Sequence, residues 1–372
     1  MRAANRTTVS PGPQTVSIVG TGLIGASLGL ALRRRVPGLT VLGADASAEN
    51  AAEALRRGAL TGTGAAADVL AAADVAVLAA PLDGLPALLE LAAAHVRPGA
   101  LVTDVGSVKG AVMEAARVLP EGVRFVGGHP MAGAAVGGPA HADPLLFENA
   151  VWVLCPPRGK DLGPHAPEAL WLVEAAGARP VVLEAERHDA VAATISHLPQ
   201  LLAVALVETA AEAGDDALGL AAGGFRDMTR IAGSPFAMWG PILRDNRAAV
   251  ADVLGAFERR VGALRQSVLD DPGALAGAFE RAGQTRAALP SSSKGFLAPL
   301  ADVVVWADDQ PGFLHGLTGA VAEAGLNLKD AELLRVRAGE VGTFRFGFAT
   351  DAEADAAVDA LAAAGYRAER RG

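Results

Sequence analysis

The sequence predicts an α/β protein in three parts, and three observations lead to this fold class. Residues 15–185 alternate short apolar runs with alanine-rich helical stretches, a pattern typical of a doubly wound parallel sheet with helices on both faces. Over residues 186–284 long helical patterns replace the strands, which predicts an all-α unit. Residues 299–372 follow the strand and helix order of a small ferredoxin-like βαββαβ module. Residues 1–14 are expected to form a flexible N-terminus, and residues 285–298 a linker rich in Pro, Ser and Gly.

Composition and charge narrow the class of protein. A net charge of −9 argues against a protein that binds nucleic acid by neutralising phosphates. The single cysteine, Cys155, excludes a disulfide framework and a cysteine-ligated metal site, and its apolar neighbours indicate a buried, inert thiol. Every apolar stretch of about 18 residues contains helix-breaking residues, so no transmembrane helix is predicted. We therefore expect a soluble cytoplasmic protein with no metal, nucleic-acid or membrane partner.

A glycine-rich motif follows the first predicted strand and opens a helix. Gly20, Gly22 and Gly25 have the spacing G-x-G-x-x-G. Gly20 allows a tight turn, Gly22 lets the backbone approach a pyrophosphate, and Gly25 lets the helix pack closely on the strand. The N-terminus of that helix, beginning with Leu23 and Ile24, can hold the anion. The motif predicts a Rossmann-type dinucleotide site; the alternative is a glycine-rich turn without a ligand.

Two further residues belong to this predicted cofactor site. Asp45 ends the next strand, where a carboxylate can bind both ribose hydroxyls, and no arginine follows it to meet a 2′-phosphate. We therefore expect NAD rather than NADP. Pro81 ends a later strand and is expected to line the wall beside the adenosine or the nicotinamide, although a plain strand-ending proline is an equally simple reading.

Polar residues follow two later strands, at the sheet edge where such folds bind ligands. Ser107 and Lys109 lie in DVGSVKG, and His129 lies in GGHPMAG. Because Gly and Pro interrupt regular structure, we expect His129 on a tight loop. A turn histidine without a task is the alternative. A hydroxyl and an imidazole on adjacent strand ends could share one substrate group.

The helical unit offers a second set of candidates. His197 precedes Leu-Pro in ISHLPQ, and GGFRDMTRIAGSPFAMW contains Asp227, Arg230 and Trp239. Arginine can hold a carboxylate through two parallel hydrogen bonds. Against this, a histidine on an apolar helix face is often a core residue, and a glycine-rich stretch with arginines is often a solvated loop.

These motifs together resemble those of prephenate dehydrogenases. The resemblance covers residues 15–285 in order through GTGLIGASL, DVGSVKG, GGHPMAG, DPLLFENA, ISHLPQ and GFRDMTRIAGSPFAMW. The final module resembles an ACT domain through DQPGFLHGLTGAVAEAGLNL. The resemblance implies a bacterial prephenate dehydrogenase with a fused regulatory domain.

The resemblance also implies a reaction and a role for each candidate residue. Prephenate would undergo oxidative decarboxylation to 4-hydroxyphenylpyruvate, with hydride passing to NAD. His129 would accept the hydroxyl proton, and Ser107 would share that hydroxyl. The remaining substrate-binding candidates are Arg230 for a carboxylate, His197 for the pyruvyl side chain, Asp227 for orienting a cation, Lys109, and Trp239 as a wall for the ring.

One departure from the family pattern leaves the substrate open. After HPMAG the family often carries a polar or acidic pair, where this chain has Ala134 and Ala135. The substrate side chain could therefore carry a keto group, as in prephenate, or an amino group, as in arogenate. A ring-amino analogue, 4-amino-4-deoxyprephenate, would suit much the same scaffold.

The ACT resemblance implies tyrosine feedback and pairing of two chains. The expected effector site consists of Asp309, Gln310, Pro311 and Gly312 before the helix and Asn327 after it. A homodimer is expected because such modules pair and the helical unit has apolar faces to spare. A purely structural tail is the alternative. Two rival functions are a β-hydroxy-acid dehydrogenase and an NAD sensor without catalysis, the latter disfavoured because His129 and Ser107 are present.

Overall fold

A computed structural model of the chain describes residues 12–133, 136–288, 300–307, 311–335 and 342–370. It divides into two compact units, Met1–Gln266 and Ser267–Gly372. The sheet and most of the helical region thus share one unit, and no break between compact units falls at residue 185. The three-part division of the sequence stays a prediction.

The first unit is built on an eight-stranded sheet. Its strands run β1 Thr15–Val19, β2 Thr40–Ala44, β3 Gly62–Thr63, β4 Val75–Leu78, β5 Leu101–Asp104, β6 Arg124–Pro130, β7 Val151–Cys155 and β8 Arg179–Val182. The spatial order is β3-β2-β1-β4-β5-β6-β7-β8. All neighbours are parallel except β6 and β7, which are antiparallel, so the sheet is mixed where the sequence predicted a parallel one. The connection between these two strands is not a helical crossover, and β7 therefore returns in the opposite direction.

Helices cover both faces of this sheet, as predicted for a doubly wound fold. Those of the sheet region are α1 Leu23–Arg35, α2 Ala48–Arg56, α3 Ala66–Ala71, α4 Leu85–His95, α5 Gly110–Ala115, α6 Leu162–His165 and α7 Pro167–Ala175. Alternating strand residues point to opposite faces, so Val75 and Val77 pack in the core with α1 and α7. Ala76 and Leu78 pack in a second core with α3, α4 and α5.

The segment GGHP forms the end of a strand, and the expected tight loop is wrong. His129 lies within β6 and pairs with Val153 of β7. Gly128 permits this because a Cβ there would lie 2.3 Å from the backbone oxygen of Asp104. Glycine is thus required for the close approach of two strands, and Pro130 ends the strand.

The helical region continues the first unit. Its helices are α8 Ala185–Ala192, α9 Leu198–Glu212, α10 Asp215–Gly219, α11 Gly223–Thr229, α12 Phe236–Asp245 and α13 Arg247–Asp270, followed by α14 Ala276–Ala287. Between α8 and α9, residues Ala193–His197 form a π-helical turn. This wide turn lets the helix continue through Pro199, which lacks a backbone N–H.

The continuous run from Ala185 to Glu212 is long and apolar enough, by length and composition alone, to span a membrane. No transmembrane helix was predicted, because every apolar stretch of that length contains helix-breaking residues. Within the run, His188, Asp189 and His197 are buried against the rest of the unit. The run therefore carries buried polar groups that a lipid-facing helix would expose.

The C-terminal module has the predicted βαββαβ order. Its elements are β9 Ala301–Ala307, α15 Phe313–Glu323, β10 Asp330–Arg335, β11 Gly342–Phe348, α16 Asp351–Ala363 and β12 Arg367–Arg370. The antiparallel strands lie in the order β10-β11-β9-β12, as in ferredoxin-like folds. The module has its own core, formed by Val303, Val305, Phe346 and Phe348 of the sheet with residues of α15 and α16.

Gly29 tests how tightly α1 packs on the first unit. A Cβ at this helical position would lie 2.4 Å from the backbone oxygen of Ala59, so Gly29→Ala must displace backbone. We expect the free energy of unfolding to fall by about 1–3 kcal/mol, as overpacking usually costs. At Gly262 of α13 a Cβ would meet nothing within 4 Å. Gly262→Ala should therefore raise the free energy of unfolding by up to about 1 kcal/mol, as Ala normally does in a helix. Denaturant unfolding measures the free energy of unfolding of both variants. Equal changes in Gly29→Ala and Gly262→Ala would contradict the close packing of α1 at Gly29.

Candidate active site

The glycine-rich turn has the geometry that the sequence predicted. Gly20 has φ +100°, and its N–H donates to the backbone oxygen of Ala44 over 2.8 Å. A Cβ on Gly25 would lie 1.9 Å from the backbone oxygen of Gly20. Both positions therefore require glycine, the first for its left-handed backbone and the second for close packing of α1 on the turn.

The N-terminus of α1 is open to an anion. Gly22 caps the helix without a side-chain hydrogen bond, and no acidic residue lies in the first turn, which begins with Leu23 and Ile24. A Cβ on Gly22 would meet nothing within 4 Å, so open space lies in front of the helix. Free N–H groups and the helix dipole together favour a phosphate at this point. The residues present therefore fit a dinucleotide pyrophosphate.

Asp45 holds the glycine-rich turn from the end of β2. Its Oδ2 accepts from the N–H of Thr21 over 2.6 Å, and its Oδ1 accepts from the N–H of Ser47 over 2.9 Å. The carboxylate is half-buried beside the turn, which suits a ribose hydroxyl. Pro81 is exposed and begins a short 3₁₀ helix, Leu82–Gly84, directly after β4.

A buried ion pair lies at the carboxyl end of β5. Lys109 is fully buried; its ammonium group pairs with Asp104 and donates to the backbone oxygen of Gly128 over 2.6 Å. Asp104 also accepts from the N–H groups of Gly106 and Gly128. We expected Lys109 to contact substrate, but its charge is enclosed within the protein. A buried ammonium group requires a partner of opposite charge, and Asp104 supplies it, so Lys109 can be enclosed at this position.

A chain of three side chains leads inward from His129. The Nδ1 of His129 lies 2.8 Å from the Nε2 of His188, and the Nδ1 of His188 lies 2.8 Å from the Oδ1 of Asp189. The two imidazole rings meet edge to face at an interplanar angle of 71°. Asp189 also accepts from the backbone N–H groups of Lys109 and Gly110, both over 2.7 Å. The carboxylate thus anchors α8 to the first turn of α5.

His197 occupies the π-helical turn on the other side of Asp189. The side-chain nitrogen of Asn246 lies 3.2 Å from the Nδ1 of His197 and donates over 2.8 Å to the backbone oxygen of Asp189. The indole of Trp239 meets the His197 ring edge to face, with centroids 5.8 Å apart. The indole N–H is buried and has no acceptor among the described residues. His197 and Trp239 therefore lie together, as the sequence suggested.

The surroundings lower the pKa of both histidines, which favours their neutral forms. Burial lowers the pKa of His129 well below its usual value, and the charges of Lys109, His188 and His197 lower it further. Burial also lowers the pKa of His197, with Asp189 acting in the opposite direction. A neutral His129 can accept a proton, which is what a general base needs. By contrast, burial raises the pKa of the Cys155 thiol to about 12, which agrees with an inert thiol.

The remaining substrate-site candidates are not among the hydrogen-bond partners of this network in the described residues. Ser107 is half-buried in the turn after β5, at the same sheet edge as His129. Asp227 lies on α11, and Arg230 begins the 3₁₀ helix Arg230–Gly233; both are exposed. The segment after Arg230 is tied to α9, because the Gln200 amide donates to the backbone oxygen of Ile231 over 3.0 Å. The described chain therefore does not bring Arg230 or Asp227 into the histidine network.

Four residues of the network were not identified from the sequence: Asp104, His188, Asp189 and Asn246. The sequence carries a signal for His188 and Asp189. A His-Asp pair at the start of a long apolar helix places two polar groups where the core should lie. Asp104 ends a strand that the sequence did identify. Asn246 lies between two helices and has no local signal.

The structure describes only some of the expected effector residues. Asp309 and Gln310 lie outside the described residues, as do Ala134 and Ala135 of the departure from the family pattern. Pro311 precedes Gly312, which caps α15 with φ +86°. Asn327 is exposed between α15 and β10.

Comparisons with known proteins identify the family. A family model described as prephenate dehydrogenase, nucleotide-binding domain matches residues 28–181, and one described as its dimerization domain matches residues 184–274. The prephenate dehydrogenase of Bacillus subtilis is 35% identical over 346 residues, covering 91% of this chain and 92% of that protein.

Solved structures agree with this result. The prephenate dehydrogenase from A. aeolicus, in complex with hydroxyphenyl propionate and NAD⁺, superposes with a TM-score of 0.69 at 28% identity, over 75% of this chain and 99% of that one. The Synechocystis arogenate dehydrogenase gives 0.66 at 31% identity, over 73% and 98%. The resemblance drawn from the motifs is confirmed: the chain belongs to the prephenate dehydrogenase family.

Proposed function

We propose that this chain catalyses the NAD-dependent oxidative decarboxylation of prephenate to 4-hydroxyphenylpyruvate, with His129 as the general base. The observation that carries the proposal is the position of His129, a neutral imidazole at the carboxyl edge of the sheet, held through His188 by Asp189. The glycine-rich turn and helix terminus that suit a dinucleotide belong to the same sheet. A pure NAD sensor would not need the base.

Each cofactor residue is assigned to one part of the dinucleotide site. Gly20, Gly22 and Gly25 shape the turn, the N-terminus of α1 at Leu23 and Ile24 binds the pyrophosphate, Asp45 binds the ribose hydroxyls, and Pro81 borders the pocket. When bound, NAD accepts the hydride from the ring carbon that carries the hydroxyl. The carboxylate of Asp45 would repel a 2′-phosphate, which accounts for the expected preference for NAD.

His129 removes the proton of the substrate hydroxyl as the hydride leaves. Its Nδ1 is occupied by His188, so Nε2 is the nitrogen that faces substrate. Ser107 follows the neighbouring strand and shares the hydroxyl, fixing its direction. Loss of the ring carboxylate as CO₂ then restores aromaticity and needs no acid from the protein.

A substrate with two carboxylates needs positive charge near the site. Arg230 is our candidate for one carboxylate, with Asp227 orienting it, and His197 is the candidate for the pyruvyl side chain beside Trp239. Lys109 contributes its charge from beneath His129 rather than by direct contact. Arg230 is exposed in the single chain, so its place in the site rests on the family motif.

Substrates with a keto group and substrates with an amino group on the side chain are both candidates. The superposed Synechocystis protein is an arogenate dehydrogenase, so the same scaffold serves the amino side chain in that protein. The Ala134 and Ala135 departure bears on the same choice. A ring-amino analogue is a further candidate. We favour prephenate because the closely matching Bacillus relative is a prephenate dehydrogenase.

We also infer a homodimer formed through the helical region. Large apolar side chains lie exposed there in the single chain, including Leu220 at 83%, Phe236 at 77% and Met228 at 70%. The match to the family's dimerization domain covers the same residues. Burying such side chains between two chains removes them from water.

We propose further that the C-terminal module is an ACT domain that senses tyrosine. Its strand order and helix positions suit that assignment, and Gly312 starts α15 in a left-handed conformation that leaves the helix N-terminus accessible. Asp309, Gln310, Pro311, Gly312 and Asn327 are the expected contacts. A module with only a structural role is the alternative.

The base is tested by replacing the imidazole. His129→Asn should lower kcat on prephenate by about 10²–10⁴-fold, because general-base help is lost, while the NAD dissociation constant stays within about twofold. His95→Asn, an exposed histidine at the end of α4, is the control and should leave both unchanged. NADH formation is measured with prephenate, arogenate and the ring-amino analogue in parallel. Full turnover by His129→Asn would exclude His129 as the base.

The cofactor preference is tested at Asp45. Asp45→Asn removes the negative charge, so we expect the ratio of kcat/KM for NAD over NADP to fall by about tenfold or more, since each 1.4 kcal/mol is a factor of ten. Asp68→Asn, an exposed carboxylate on α3, controls for net charge. An unchanged ratio would remove Asp45 from the ribose site.

Feedback is tested at Asn327. Tyrosine should inhibit the full-length enzyme. Asn327→Ala should raise the tyrosine concentration that gives half-maximal inhibition by about tenfold, because one good hydrogen bond is lost. Uninhibited kcat/KM should stay the same. Asp359→Ala, on the exposed face of α16, is the matched surface control. No inhibition of the wild-type enzyme at any tyrosine concentration would favour a structural module.

A further inference from the structure

We propose that Asp189 fixes opposite tautomers on the two active-site histidines, through His188 on one side and Asn246 on the other. His129 then presents a bare Nε2, and His197 presents an Nε2–H. His188, Asp189 and Asn246 are positioning residues in this scheme, because they act through the two histidines. The inference rests on the proposed function for its consequence in catalysis, but its geometry does not depend on the substrate.

The Asp189 carboxylate sets the tautomer of His129 through His188. Its Oδ1 lies 2.8 Å from the Nδ1 of His188, and a carboxylate oxygen accepts, so that nitrogen carries a hydrogen. In the neutral ring the Nε2 of His188 is then the acceptor. It lies 2.8 Å from the Nδ1 of His129, which must therefore be the donor. The remaining nitrogen of a neutral His129, Nε2, has its lone pair free for a proton.

The backbone oxygen of Asp189 sets the tautomer of His197 through Asn246. That oxygen can only accept, so the side-chain atom of Asn246 that lies 2.8 Å from it is the amide nitrogen. The second hydrogen of this amide points to the Nδ1 of His197, 3.2 Å away. That ring nitrogen is an acceptor, and the neutral ring carries its hydrogen on Nε2.

The two tautomers suit two different tasks. The substrate hydroxyl must lose a proton, which requires a bare nitrogen, whereas the anionic side chain must receive hydrogen bonds, which requires an N–H. A carboxylate that holds a catalytic histidine in the right tautomer is worth about 10⁴-fold in kcat in serine proteases. Here one aspartate serves two rings, through its carboxylate and its backbone oxygen.

Two variants of His188 separate tautomer control from packing. In His188→Gln the amide oxygen can still accept from the Nδ1 of His129, whereas His188→Leu removes the acceptor. We expect the Leu variant to lose about 10²-fold or more in kcat, and the Gln variant to stay within about tenfold of wild type. The KM and the NAD dissociation constant should change little in either.

The tautomers can be observed without any turnover. The protein has seven histidines, so ¹⁵N-histidine labelling with long-range ¹H–¹⁵N correlation gives a small spectrum in which each ring reports which nitrogen carries its hydrogen. His129→Asn and His197→Asn assign the two signals. We expect hydrogen on Nδ1 in His129 and on Nε2 in His197, and Asn246→Asp should move the hydrogen of His197 to Nδ1.

The outcomes distinguish this inference from the proposed function. The same tautomer on both rings, or equal losses in His188→Gln and His188→Leu, would overturn the inference. If the spectra show opposite tautomers while His129→Asn retains turnover, the proposed base is wrong and the network stands. Thermal melting of each variant shows whether a loss of kcat reflects unfolding, and the spectrum of the wild-type protein decides the tautomers in either case.

Discussion

The packing of the first unit depends on one carboxylate that accepts hydrogen bonds from two backbone N–H groups. Asp189, on α8, accepts from Lys109 and Gly110 at the start of α5, and so satisfies helix N-terminal groups that have no partner within their own helix. This contact joins the helical region to the carboxyl edge of the sheet. Through His188 and Asn246 the same residue also reaches both site histidines. One residue thus ties the helical region to the sheet edge and contacts the groups that hold both site histidines.

The ion pair beneath the site explains why so polar a network can be buried. Asp104 accepts from Gly106, Gly128 and Lys109, and Lys109 donates also to the Gly128 carbonyl. Buried charges are costly unless paired and hydrogen-bonded, and here the side-chain oxygens and the ammonium all have partners. The positive end of the pair lies close enough to His129 to disfavour a second positive charge there. The stability of the buried network and the lowered pKa of His129 thus come from the same arrangement.

The sequence predicts what local rules determine and misses what distant contacts determine. The glycine-rich turn was identified because its spacing and its flanking strand and helix are adjacent in the chain. His129 was identified as a candidate but was placed on a loop, because the sequence does not show that Gly128 is required by Asp104, 24 residues away. Asp189 lies 80 residues from Lys109, and neither residue alone indicates the pairing. Lys109 was assigned to substrate from its place at the turn after a strand, and only the fold shows that it is enclosed.

The π-helical turn at Ala193–His197 gives the long helix one residue more than a regular α-helix would need for the same path. Each residue of an α-helix advances by about 100° around its axis, so the extra residue changes which side chains of α9 face the neighbouring helices. His197 lies at the end of that turn. The half of this helix that carries His188 and Asp189 and its apolar half are therefore in different rotational phases. One continuous helix can then present polar groups to the active site before Pro199 and a separately oriented apolar surface after it.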